Sequence, residues 1–185
     1  MTSQYRDTVE RRLSEWRRQR PDLDPSPLGI QGRIMMLSAH LLRQSEAWLE
    51  PLGLSWEAFS LIVTLRRSGE PYALRPTDLL RESLLTSGAI TNRIDRVEQR
   101  GLVERHPDPK DRRSSIVQLT PAGLKLADEA IGRHFAGVEA RLGGLTAAER
   151  QQLAGLLSKL LGSVETTAAQ RTAHHLKDRA PPREG

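Results

Sequence analysis

At 185 residues the chain is long enough to bury an ordinary core as a single domain, and it holds no cysteine, which excludes disulfides and thiolate metal sites. A formal charge of +5 and a pI near 10.2 favour an anionic partner, but DNA, RNA and a membrane surface would all satisfy them, so the placement of the charge matters more than its sum. The five histidines show no ligand spacing with paired acids, and no run approaches the ~18 apolar residues of a membrane span or forms a signal core, so a soluble cytoplasmic protein is expected, with no cofactor and no membrane partner.

Tyr5, Val9, Leu13 and Trp16 recur at helical spacing between arginines, which predicts an amphipathic helix ending before Pro21. Trp16 reads first as the anchor that packs this helix, and second as a lid over a small-molecule pocket. After the bend at Pro21, Pro25 and Pro27, a helix is expected from about Leu28 to Leu49, with Ile30, Ile34, Leu37, Leu41 and Trp48 on one face. Gly32 permits another backbone to approach it, and Pro51 and Gly53 stop it. Ser55 is the expected N-cap of a third helix, whose inward face holds Phe59, Ile62, Val63 and Leu65.

Leu74 to Leu80 reads as a short helix with Pro76 near its start, followed by a turn over Leu84, Leu85 and Thr86, with Thr86 as the cap of the next helix. That helix, Ser87 to Arg100, places Ile90, Ile94 and Val97 on one face and turns Gly88, Asn92, Asp95 and Gln99 outward, flanked by Thr91 and Arg96. Small and hydrogen-bonding residues therefore occupy a face that could meet base edges, although an ordinary solvated helix carries the same pattern. Arg93 sits at the boundary of the faces, where a carboxylate, a phosphate or an organic anion could pair with it.

Two short β-forming runs, Leu102 to Arg105 and Ser115 to Leu119, flank a loop too long for a tight hairpin but suited to a wing. Helix, turn, helix and wing form a unit that can set one helix in a major groove and a basic loop beside it. Ser87, Gly88, Thr91, Asn92 and Arg96 are the expected DNA contacts of the helix, and Lys110, Arg112 and Arg113 those of the wing. Asp111 is expected to pair with a nearby arginine and set the wing tip.

Thr120 and Pro121 open a helix with Leu124, Ala127, Ile131, Phe135, Val138 and Leu142 in its stripe, Gly143 and Gly144 break it, and Thr146 with Glu149 forms a capping box for the last helix. Stripes this long exceed what the winged unit can cover, so a two-fold homodimer is expected, although one larger monomeric bundle also fits. The expected organisation is residues 1–54 for dimer body and ligand pocket, 55–119 for the winged lobe, 120–166 for dimerisation, and 167–185 for a flexible tail.

The run from Ser87 to Arg96, Gly101 to Arg105, Asp111 to Ser114, and Leu119 to Gly123, in this order, resembles the MarR family of bacterial winged helix-turn-helix regulators over roughly residues 28–164. The resemblance implies a mainly α fold with a small β-wing, and a homodimer on a palindromic double-stranded operator. It further implies repression of promoters, often those of a divergent neighbour and its own gene, relieved by a small organic anion or phenolic effector. A regulator without a natural ligand, or a winged helix used for protein interaction, remain the alternatives; an enzyme is not expected.

The extra first helix with Trp16, and Arg20 to Pro25, resemble the urate-responsive and PecS-like subgroup. That likeness implies ligand contacts at Trp16, Arg93 and Arg105, with a fourth at Ser60. Phe59-Ser60-Leu61 stands where the subgroup has phenylalanine, aspartate and valine, so the pocket loses a carboxylate and the likeness points to an organic anion other than urate.

Overall fold

The computed structural model describes residues 7–82, 87–109 and 114–178. A first compact unit ends at Gly137 and a second begins at Val138. The fold is mainly helical with a small antiparallel sheet.

The first helix, α1 (Thr8–Gln19), begins where the Asp7 carboxylate accepts the Glu10 backbone N–H at 2.8 Å. Val9 and Leu13 are buried against α2 (Ser26–Leu49), where Gly29 and Gly32 make room: a Cβ at Gly29 would lie 3.0 Å from Leu13 Cδ1, and one at Gly32 3.2 Å from Val9 Cγ1. Arg33 of α2 donates to Asp7 at 2.8 Å, and the Glu10 amide and this guanidinium together hold the Asp7 carboxyl below its ordinary range. Trp16 is not the anchor of α1 within the chain. It is 50% exposed, because Val9 and Leu13 already fill the contact with α2.

A 3-10 turn (Glu50–Leu52) and Gly53 in the left-handed conformation end α2, and Ser55 caps α3 (Trp56–Arg67) by accepting the Ala58 N–H at 3.2 Å. Ala73–Leu74 then forms β1, which pairs with β3 (Ser115–Leu119) through Ala73 opposite Gln118 and Leu74 opposite Val117. The short helix expected from Leu74 therefore starts later, as α4 (Pro76–Arg81). Proline pushes the preceding Arg75 into extended backbone, and Leu74 is left to the sheet. The turn over Leu84, Leu85 and Thr86 lies outside the described residues.

The helix α5 (Ser87–Gln99) leads through Gly101, at positive φ, into β2 (Val103–Pro107), which pairs with β3 from Val103 opposite Leu119 to Pro107 opposite Ser115. The strand order is β1-β3-β2. Ile62, Leu65, Ile94, Val97, Val103 and Val117 are fully buried where α3, α5 and the sheet meet, each worth about 1.5–3 kcal/mol of apolar transfer.

The wing is followed by α6 (Pro121–Arg141), whose Ala127 and Ala130 join the same core. In the second unit, α7 (Ala147–Asp178) opens with the expected capping box, Glu149 accepting the Thr146 amide at 2.8 Å and Thr146 Oγ1 accepting the Glu149 amide at 3.3 Å. The helix runs beyond Thr166, where the apolar stripe ends, because alanine, glutamine and arginine keep high helix propensity without one. Among the described residues no helix is long and apolar enough to cross a membrane.

Candidate nucleic-acid interface

Three apolar residues fix the setting of α5. With Ile90, Ile94 and Val97 buried on the core side, Gly88, Thr91, Asn92 and Arg96 are exposed together on the far side. Ser87 begins the helix. A polar face of this kind, bare of bulky side chains at Gly88, can approach a groove floor closely: a Cβ built on Gly88 meets nothing within 4 Å. Lys110, Asp111, Arg112 and Arg113, assigned to the wing by sequence, lie outside the described residues.

At the root of the wing, Asp108 is buried. Its amide donates to the Ser114 carbonyl at 3.0 Å, its Oδ2 accepts from Ser114 Oγ at 3.2 Å, and Arg75 Nε donates to the same oxygen at 2.5 Å. Arg75 is the residue before α4, so this contact ties the first helix of the motif to the wing. Neither residue stood out in the sequence. Asp108 sits in a run rich in charge, and nothing local shows which of the acids there turns inward.

Arg93, half-buried on α5, lines a hollow of about 300 Å³ with Ser55, Glu57, Ala58, Asn92 and Arg96 among its walls. The Glu57 carboxyl is held below its ordinary range by its own backbone amide, then by the Ser55 hydroxyl and the positive charges of Arg93 and Arg96. Trp16 lines a different hollow, of about 240 Å³, with Arg12, Leu13, Leu28, Gln31 and Met35 among its walls. Ser60 and Arg105 line neither. Ser60 is on α3, where its carbonyl accepts the Thr64 hydroxyl at 2.8 Å. The Arg105 guanidinium, on β2, pairs with both Asp95 and Glu98 of α5. Of the four positions that the resemblance implies for a ligand, Trp16 and Arg93 line different hollows among the described residues.

A family model described as the MarR family matches residues 52–114, the stretch from the end of the 3-10 turn to the wing. The transcriptional regulator PecS of Dickeya dadantii is 32% identical over 148 residues, which cover 80% of this chain and 89% of that one. The multiple antibiotic resistance protein MarR of Salmonella typhimurium is 30% identical over 129 residues, 69% of this chain and 88% of that one. In three dimensions the chain is similar to a mutant MarR of E. coli complexed with operator DNA, with a TM-score of 0.67 and 26% identity over 75% of this chain and 98% of that one. The matched residues 52–114 take in α3, α4, α5 and β2 in that order. The chain belongs to the MarR family of DNA-binding transcriptional regulators.

Proposed function

We propose that the protein is a homodimeric, sequence-specific regulator that represses its target promoters from a palindromic operator and leaves the DNA when a small organic anion binds. The observation that carries this reading is the exposed face of α5, where Gly88, Thr91, Asn92 and Arg96 stand opposite the buried Ile90, Ile94 and Val97. Ser87 joins these contacts on the sequence pattern alone, Lys110, Arg112 and Arg113 of the wing supply phosphate or minor-groove contacts, and Asp111 sets the wing tip. The mutant MarR of E. coli complexed with operator DNA supports the same placement by its likeness. A homodimer is supported by apolar residues that the single chain leaves exposed: Ile30, Leu37 and Leu41 on α2, and Leu156, Leu160 and Leu161 on α7.

The effector reading rests on Arg93, because it lines a hollow and lies on the reading helix itself. An anion held there would act directly on the setting of Asn92, one residue away. Trp16, Ser60 and Arg105 enter the reading only through the resemblance to the urate-responsive subgroup.

The test is a binding titration of the purified protein with the intergenic DNA beside its gene, repeated over salt and with a panel of organic acids and phenols. Saturable binding is expected to fall about a thousandfold between roughly 50 and 200 mM salt, as counterion release from several phosphates requires. At least one compound should weaken it further, and Arg93→Ala should remove that response. Binding that no compound touches leaves a regulator without an effector, and no binding at all makes a protein-interaction module the reading to pursue.

Gly88→Ala separates stability from binding. Alanine in an open helical position should stabilise the fold by about 0.5–1 kcal/mol in a thermal melt. The same methyl on the face proposed to meet DNA should weaken the titration, and unchanged affinity would place the DNA elsewhere.

A further inference from the structure

The reading helix carries two acids close to the face proposed for DNA. Asp95 follows Asn92 by three residues and Thr91 by four, so it stands one turn along the same side of α5, and Glu98 follows Asp95 by three. A carboxylate so placed comes within a Debye length, about 8 Å at physiological salt, of any phosphate that the helix approaches, and repels it. Both acids are met by one cation. The Arg105 guanidinium on β2 pairs with Asp95 and with Glu98, and the Arg105 backbone N–H donates to Glu98 Oε1 at 3.1 Å. All three side chains remain partly exposed, at 30% for Arg105, 44% for Asp95 and 34% for Glu98, so the cluster lies at the surface rather than in the core.

An arginine offers a planar fork of donors, and here the fork already spans two carboxylates. The geometry points to a role different from holding a ligand. We propose that Arg105 is a positioning residue for DNA binding that acts through Asp95 and Glu98: its charge masks the two acids so that α5 can lie against a phosphate backbone. This rests on the regulator reading above. It does not require Arg105 to touch DNA or effector.

The test compares Arg105→Ala in the wild-type chain and in an Asp95→Asn, Glu98→Gln background, with the same intergenic duplex and with retention on immobilised heparin as a second polyanion. In the wild-type background Arg105→Ala should weaken duplex binding about tenfold and elute from heparin at lower salt. In the background without the acids the same substitution should change affinity less than about twofold, because nothing is left to mask. Arg105→Lys, which keeps the charge, should recover most of the lost affinity. Equal losses in both backgrounds would overturn the proposal in favour of direct contact or general scaffolding, as would a lysine variant no better than alanine. A circular-dichroism melt of each variant keeps unfolding apart from weak binding, and the acid-free background gives a second reading if Arg105→Ala alone proves unstable. Should the wild-type chain ignore the duplex, the regulator reading fails, while the heparin comparison between backgrounds still decides whether Arg105 masks the two acids.

Discussion

Gly123→Ala is expected to lower the stability of the fold by about 3 kcal/mol, at the upper end of what an extra methyl does in a packed site. A Cβ at Gly123 would lie 1.9 Å from the Leu102 carbonyl oxygen and 2.8 Å from its carbon. Both are backbone atoms, so no rotamer change can relieve the overlap, and α6 would have to shift away from the start of the wing. That corner is closely tied: the Thr120 amide donates to the Leu102 carbonyl at 3.1 Å, its hydroxyl donates to the Gly101 carbonyl at 2.7 Å, and the Gly123 amide donates back to Thr120 Oγ1 at 3.0 Å. Moving α6 strains all three contacts and the burial of Ala127 and Ala130 behind them. Gly132→Ala is the control in the same helix, since a Cβ there meets nothing within 4 Å, and it should stabilise by about 0.5–1 kcal/mol. Urea unfolding at one fixed protein concentration measures both, the concentration being held because a dimer's stability depends on it. A Gly123→Ala midpoint equal to wild type would show that the corner yields, contrary to this account.

The Thr-Pro-Ala-Gly run was legible in the sequence as a helix start, but the reason for its glycine was not. Helix starts are local, and so are stripes: Ser55 and Thr146 cap where their spacing to the next apolar run places them, and Ile90, Ile94 and Val97 are buried as their period requires. The same period is enough to bring Gly88, Thr91, Asn92 and Arg96 to one exposed face. What it lacks is distance between elements. β1 has only two residues, too few to carry a period, and exists because β3 is there to pair with it. Trp16 keeps phase with Val9 and Leu13 yet is half exposed, since phase gives a direction around the helix and not how far the neighbouring helix extends along it. For the same reason the likeness that implied Trp16, Ser60, Arg93 and Arg105 as ligand contacts could not say whether one chain gathers them. Nor could it show that Arg105 pairs with acids 7 and 10 residues before it.

Arg75→Ala and Asp108→Ala remove the two ends of one ion pair, and they are expected to differ. The Asp108 side chain is 3% exposed, whereas that of Arg75 is 41% exposed. Taking away Arg75 removes a guanidinium from beside a carboxylate that is sealed from water, a loss of about 3 kcal/mol, the lower end for breaking a buried pair because one end already meets solvent. Taking away Asp108 leaves a guanidinium that water can reach, and the loss should be nearer to about 1–2 kcal/mol, that of charge-assisted hydrogen bonds alone. Urea unfolding should therefore rank Arg75→Ala as the more damaging, and the opposite order would mean that the pair's energy is not set by desolvation. DNA affinity should fall in both, and by similar factors. Asp108 opens the loop that closes on Ser114, and its bonds to Ser114 and Arg75 fix where that loop leaves the sheet relative to α4. Either substitution releases that root, so any DNA contact made through the loop beyond it would start from a less fixed base, at an added ordering cost. Stability thus depends on which charge is left behind, while binding depends only on the pair being intact.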